Sequence, residues 1–425
     1  MKPLLGAVAD DFTGATDLAN MLARAGMRTV LALGRPAPDD PMPEAEAVVV
    51  ALKSRTAPVP EAVEDSLASW RWLAAAGAEQ CYFKYCSTFD STQQGNIGPV
   101  SAALMAETEA DFTVYCPAFP EAGRTIYQGN LFVFQQPLNE SPLKDHPLTP
   151  MTDANLARWL SPQLGGAQVG LIAFQDVEAG AVAIRARMDA LRADGVRHAI
   201  VDALTDDHLA ALGEACAGMA LVTAGSGLGL GLPGNFARAG RLAGGRADAL
   251  PAIGGLPVLL SGSCSAATNA QVARWEADGG PTLRLDPLAL ADGSFDAQAA
   301  WDWARAQPGA ALIAATQPPD KVRETQAKLG TEKAAELVEA TLSSVAIMAR
   351  DAGVRRFVVA GGETSGAVVS ALGAARLAVG PQIAPGVPWC ATLADTASDT
   401  PAALALKSGN FGGETFFADA LESAP

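Results

Sequence analysis

The sequence predicts an α/β protein of two domains on mainly parallel sheets, with the active site expected in the cleft between them. Three observations predict this. Short apolar runs without alternation, at residues 4–9, 47–52, 257–260 and 357–360, read as strands buried on both faces. Such runs lead into polar or Gly-rich turns and then helical periodicity, as in parallel crossovers. At 425 residues the chain is about two to three times a typical domain length. Residues 238–256, rich in Ala, Gly and Pro, are the expected linker between a domain over 1–237 and another over 257–425.

The first strand ends in Asp10-Asp11, followed by Phe12-Thr13-Gly14-Ala15-Thr16-Asp17 and a helical pattern that Gly26 closes. Two carboxylates at a strand's carboxyl end can hold substrate hydroxyls, take up a proton or coordinate a metal-bound phosphate. One of them, or Thr13, can equally cap the helix. Residues 28–33 and 47–52 are the next strands. The second delivers Arg55, either a planar clamp for a carboxylate or a surface residue of a βα loop. After a helix over 66–76, the strand 81–85 runs into Lys84-Tyr85-Cys86-Ser87-Thr88-Phe89-Asp90-Ser91-Thr92-Gln93-Gln94-Gly95-Asn96. This run of hydroxyls, amides and Gly suits a polyhydroxylated ligand, with Lys84, Ser87, Asp90 and Ser91 as candidate contacts. It also suits a turn saturated with its own hydrogen bonds.

A strand over 112–116 leads to Pro117-Ala118-Phe119-Pro120-Glu121-Ala122-Gly123-Arg124, where Arg124 is a second candidate anion contact or a loop tie. Asp153, at the end of the stretch 147–153, can cap the helix that follows. Strands over 169–174, 197–203 and 220–223 alternate with helices, notably 177–193. The run Gly225-Ser226-Gly227-Leu228-Gly229-Leu230-Gly231 lacks the context of a dinucleotide fingerprint and reads as close packing.

In the second half, three strands end in small-residue loops. They are Ser261-Gly262-Ser263-Cys264-Ser265, Gly361-Gly362-Glu363-Thr364-Ser365-Gly366 and Lys407-Ser408-Gly409-Asn410-Phe411-Gly412-Gly413. Hydroxyls, glycines and helix starts together make anion sites from free N–H groups. Ser261, Ser263, Gly361, Gly362, Glu363, Thr364, Lys407 and Gly409 are the candidate nucleotide contacts. Thr364 and Ser365 can reach phosphate or Mg²⁺. None of the loops is a Walker A sequence. A long amphipathic helix is expected over 332–352.

Composition narrows the function. A net charge of −16 argues against nucleic acid, whose binding needs clustered basic surface. No run approaches the apolar length that spans a membrane, and Asp10 comes too soon for a secretory signal. Six scattered cysteines fit a reducing cytoplasm, and three histidines form no zinc pattern. A homo-oligomer is compatible with the sequence, which carries no signal for or against one.

The string at residues 10–17 resembles the start of the four-carbon acid sugar kinases. Asp90-Ser91-Thr92-x-x-Gly95-Asn96 is similar to the family's Asp-Ser-Thr-x-Arg-Gly-Asn, with Gln94 where many members carry Arg. Residues 117–125, 147–153 and the three late loops also resemble family signatures, in the family's order. Within the family, the 84–92 and 407–413 stretches look most like the branch that acts on 3-oxo-tetronates. The resemblance implies an ATP- and Mg²⁺-dependent kinase, with an N-terminal acid-sugar domain and a C-terminal nucleotide domain. The transfer is to the C4 hydroxyl, with Asp10, Asp11 or Asp90 as base and no protein metal ligand assigned. Threonate or erythronate kinases of the same family, a non-catalytic binder of sugar acid and nucleotide, and an oxidoreductase using the run near Gly227 are the alternatives.

Overall fold

The computed structural model describes residues 2–146, 148–393 and 401–425, so Pro147 of the 147–153 stretch lies outside them. In the first unit, Met1–Asp248, the strands are β1 (Leu5–Ala9), β2 (Thr29–Leu33), β3 (Ala47–Ala51), β4 (Gln80–Lys84) and β5 (Thr113–Cys116). They continue with β6 (Arg124–Tyr127), β7 (Asn130–Val133), β8 (Gln136–Pro137), β9 (Val169–Ile172), β10 (His198–Val201) and β11 (Leu221–Ala224). Eight of them form a parallel sheet in the order β2-β3-β1-β4-β11-β5-β10-β9. β1 is buried along its whole length because helices cover both sheet faces and it carries only apolar side chains and Gly.

Two expectations change here. The helix expected over 177–193 is two helices, Phe174–Glu178 and Ala181–Ala193. Gly180 at φ +90° turns the chain between them, a conformation that disfavours a side chain. Arg124, expected on the loop after the strand 112–116, instead opens the antiparallel ribbon β6-β7-β8. The 225–231 run is close packing, as expected. A Cβ at Gly231 would come 2.5 Å from the Leu209 carbonyl oxygen, and one at Gly225 2.7 Å from that of Pro117.

The second unit, Ala249–Pro425, contains β12 (Pro257–Ser261), β13 (Thr282–Arg284), β14 (Ala311–Ala314) and β15 (Arg356–Ala360). It ends with β16 (Arg376–Ala384), β17 (Val387–Thr392) and β18 (Ala403–Lys407). The order is β13-β14-β12-β15-β18-β17-β16; the first five strands are parallel and the last two pair antiparallel. Leu259, Val358, Trp389 and Phe416 centre its core. Each such apolar side chain stabilises by about 1.5–3 kcal/mol when fully buried.

The stretch 238–256, expected as a linker, is not a free connector. Arg241 pairs with Glu79 at 2.5 Å and the Ala243 N–H donates to Glu46 at 2.6 Å, within the first unit. In the second unit the Ile253 N–H donates to the Pro425 carbonyl at 3.0 Å, and Leu250 packs over Gly380. Ala/Gly/Pro composition marks a bendable backbone, but two backbone N–H groups and the Arg241 and Leu250 side chains anchor it.

Candidate functional site

In the first unit, β1 lies between β3 and β4, and the chain crosses from one side of β1 to the other between them. Their carboxyl ends form the crevice where ligands of open α/β sheets bind. Backbone bonds set the register: the Asp10 N–H donates to the Lys84 carbonyl at 3.0 Å. The Ser54 and Arg55 N–H groups donate to the Asp10 carbonyl at 3.0 and 3.1 Å. The Asn96 side-chain amide donates to the carbonyls of Ser54, Arg55 and Ala57 at 2.7, 3.3 and 2.9 Å, fixing the turn that carries Arg55. Gly95 is required beside it, because a Cβ would come 2.8 Å from that of Ser91.

Arg55 is a clamp, but for the protein's own carboxylates. Its Nε and Nη2 donate to Asp10 at 3.0 and 2.8 Å, and Nη2 also donates to Asp11 at 2.6 Å. The guanidinium expected either to clamp a carboxylate or to sit on the surface is thus already paired within the protein. Burial raises the Asp10 carboxyl above its ordinary value even against Arg55. Burial also opposes ionisation of Asp11, but Arg55, Lys84 and the Thr13 hydroxyl together hold it below its ordinary value. Asp11 caps the helix Phe12–Arg24 as well, accepting from the Gly14 N–H at 3.1 Å. Lys84 is buried, and its Nζ donates to the Tyr85 carbonyl at 2.7 Å.

The 86–91 loop brings Asp90 forward. Phe89, fully buried, sits at φ +56°, a strained conformation of the kind that clusters at functional sites and costs about 1–3 kcal/mol. Thr88 Oγ1 donates to Asp90 Oδ1 at 2.6 Å, and the Cys86 thiol lies beside the same carboxylate. Asp90 is half-buried, as is Ser87. Ser91 does not face a ligand: its buried hydroxyl donates to the Phe89 carbonyl at 2.9 Å and accepts from Trp159 and Gln163 at 3.2 and 3.0 Å. Arg124 donates to the Ala122 carbonyl and lies over the Phe134 ring, 5.5 Å from its centroid. It forms no ion pair among the described residues, and burial lowers its guanidinium pKa.

In the second unit the three late loops meet. A Cβ at Gly262 would run into Thr364 Oγ1, and one at Gly409 would come 2.6 Å from Ser263 Oγ. Gly361 is at φ +131°, where a Cβ would stand 2.9 Å from Thr364 Oγ1. It starts the helix Gly362–Ala371, whose N-terminus has no side-chain cap, the kind of helix start that can receive an anion. By contrast Ser265 caps the helix Ala266–Ala277. That helix grips the closing loop: Ser265 and Thr268 hydroxyls donate to the Gly409 carbonyl at 2.5 and 2.8 Å. Gln271 donates to the carbonyls of Phe411, Gly412 and Gly413, each at 3.0 Å.

Two candidate contacts lie beneath this surface. Ser261 is buried, its hydroxyl 2.6 Å from that of Thr316. Lys407 is also buried; its Nζ donates to Thr268 Oγ1 at 3.0 Å and to the Ser408 and Gly409 carbonyls at 3.1 Å each. Burial pushes its amine down to about 7, whereas those three acceptors favour the ammonium. Lys407 therefore shapes the loop from below.

A cavity of about 350 Å³ adjoins the loops, lined by Gly262, Ser263, Gly361, Gly362, Glu363 and Thr364 on one side. Val322, Ala334, Ala335 and Val338 supply an apolar wall, with Gln317 and Thr325 nearby, as a nucleoside requires. Sequence reading missed this wall, since its residues come from the polar-looking helix Pro319–Leu329 and the helix Thr331–Asp351. The described residues hold no group of three or more His, Cys, Asp and Glu suited to a metal. No described helix is long and apolar enough to cross a membrane.

Comparison with known proteins gives these two sites names. Residues 5–232 match the model of a sugar-binding N-terminal domain, and residues 258–417 that of a nucleotide-binding C-terminal domain. A 3-oxo-tetronate kinase of Cupriavidus necator is 58% identical over 424 residues, covering 99% of this chain and 97% of the relative. One from Burkholderia multivorans is 56% identical over 424 residues, with the same two coverages of 99% and 97%. A solved Salmonella typhimurium LT2 protein aligns with TM-score 0.88 at 42% identity, over 99% of both chains. With both halves matched and the identity sustained from end to end, the chain belongs to the four-carbon acid sugar kinase family.

Proposed function

We propose that this kinase transfers the γ-phosphoryl group of ATP to the C4 hydroxyl of 3-oxo-tetronate. The observation that carries the reading is one carboxylate-rich site and one glycine- and hydroxyl-rich site, each at strand carboxyl ends, in a chain 58% identical to a 3-oxo-tetronate kinase. In this reading residues 1–237 bind the acid and 257–425 the nucleotide. Asp90, half-buried and held by the Thr88 hydroxyl, is the base that accepts the hydroxyl proton. Asp10 and Asp11, held by Arg55, orient hydroxyls, and Arg124, which forms no ion pair among the described residues, meets the carboxylate. The N-terminus of the helix Gly362–Ala371, which has no side-chain cap, receives phosphate.

Mg²⁺ fits this second site as an ion carried by the nucleotide. The cavity lining holds two carboxylates, Glu339 and Glu363, and the hydroxyls of Ser263 and Thr364, in keeping with an ion that retains water and phosphate ligands. When bound it would neutralise charge on the phosphates. Six free cysteines support a cytoplasmic location.

Substrate choice turns on C3. A carbonyl there only accepts hydrogen bonds, so the Gln94 amide and the Ser87 hydroxyl serve it without a further cation. The test is ADP release with 3-oxo-tetronate, threonate and erythronate, compared as kcat/KM. The expected preference for 3-oxo-tetronate is about 100-fold or more, as when a polar partner is left unpaired. Equal values, or a preference for threonate, assign the chain to a sister branch. No ADP above background with any acid leaves only a binding protein.

A further inference from the structure

Asp17 lies on the helix Phe12–Arg24, buried at 4% exposure. Its Oδ2 accepts a hydrogen bond from the Ser226 hydroxyl, brought in by the turn after β11. Its Oδ1 is buried with no partner among the described residues. An ionised carboxylate left half-unsatisfied in a dry interior is costly, and a proton relieves that cost. The charged and titratable groups that face it are Lys84 and Tyr82 from β4, Arg124 from β6, and Asp11 at the start of its own helix. Lys84 is held against that helix, since a Cβ at Gly14 would come 2.8 Å from its Nζ.

Lys84 thus serves Asp10, Asp11 and Asp17, while Arg55 is already engaged by the first two. Asp90 faces Arg124 in the same cluster, so four carboxyls (Asp10, Asp11, Asp17, Asp90) against three cations (Arg55, Lys84, Arg124) leave it negative when all are ionised, which repels an acid substrate. With a proton on Asp17 the cluster is neutral, and Lys84 has charge to offer. We propose that Asp17, tethered by Ser226, is a positioning residue that holds a proton when the acid is bound and thereby sets the charge that Lys84 presents to it. Burial pushes the Asp17 carboxyl up to about 7, so this proton exchanges near neutral pH.

The proposal rests on the first unit being the acid site. Anion binding further disfavours ionised Asp17, so acid binding takes up a proton at pH 7.5 and the KM for the acid rises about 10-fold between pH 7 and 8.5. The KM for ATP does not follow. Asp17→Asn keeps an acceptor for Ser226 but cannot titrate. Its KM for the acid stays within about 2-fold across that range, and titration calorimetry in two buffers of different ionisation enthalpy finds no proton uptake. Ser226→Ala removes the hydrogen bond that favours the ionised form, moving the wild-type rise to higher pH. Asp17→Asn with undiminished proton uptake, or Ser226→Ala with a rise unmoved or moved down, overturns the proposal. Absence of any acid binding by the wild type overturns the site assignment and this proposal with it. Binding without ADP release overturns only the kinase reading.

Discussion

The two sites solve the problem of binding an anion in opposite ways. In the first unit, formal charges are buried together: Asp10 and Asp11 share Arg55 at 2.6–3.0 Å, and Lys84 lies beside them. In the second, the surface offered to the ligand is backbone and hydroxyl, with Lys407 kept beneath it against three acceptors. The difference follows from what each ligand needs. A small polyhydroxylated acid is recognised group by group and must lose a proton, which calls for placed carboxylates. A polyphosphate needs many converging N–H donors at close approach, which glycine permits. The first site should be sensitive to charge and the second to shape.

Asp90→Asn sharpens the contrast most. It changes no volume but removes the proposed base, and kcat is expected to fall about 10²–10⁴-fold with ATP affinity kept. Steady-state ADP release with nucleotide titration reads both. A variant retaining kcat would move the base to Asp10 or Asp11.

Gly361→Val tests the second site by shape alone. A β-carbon at φ +131° is strained, and it meets Thr364 Oγ1 at 2.9 Å. ATP affinity is expected to fall about 100-fold, while acid binding and the melting of the first unit are unchanged. Full ATP affinity in a folded variant would contradict a close backbone approach to phosphate.

Arg55→Lys is the mildest change, keeping the charge and losing the fork. Lys cannot bridge Asp10 and Asp11 through two parallel donors. Because Arg55 positions carboxylates, the loss is expected in kcat as well as in the acid's KM, about 10-fold in kcat/KM. A change in KM alone would favour direct contact between Arg55 and the substrate carboxylate.

Much of the site was legible because strand ends announce themselves. The apolar runs placed Asp10, Lys84, Gly361 and Lys407 at carboxyl ends, where the structure has them. Direction of side chains was not legible. Ser91 and Ser261 look like ligand hydroxyls in the sequence, yet both are buried against protein partners supplied from elsewhere in the chain. Gln317, Val322 and Val338 were missed because an apolar wall shared between two helices and a strand end leaves no local pattern.

The sequence by itself determined the α/β class, the strand–turn–helix units and the family, since these rest on local periodicity and contiguous motifs. Tertiary structure decided what each polar group does. Arg55 grips Asp10 and Asp11 only because β3 and β1 are adjacent in register. Asp17 becomes a buried carboxyl only because Ser226, 209 residues away in the chain, closes over it. A carboxylate's charge and reach are set by desolvation and by neighbours from distant segments, and no local window of sequence contains either.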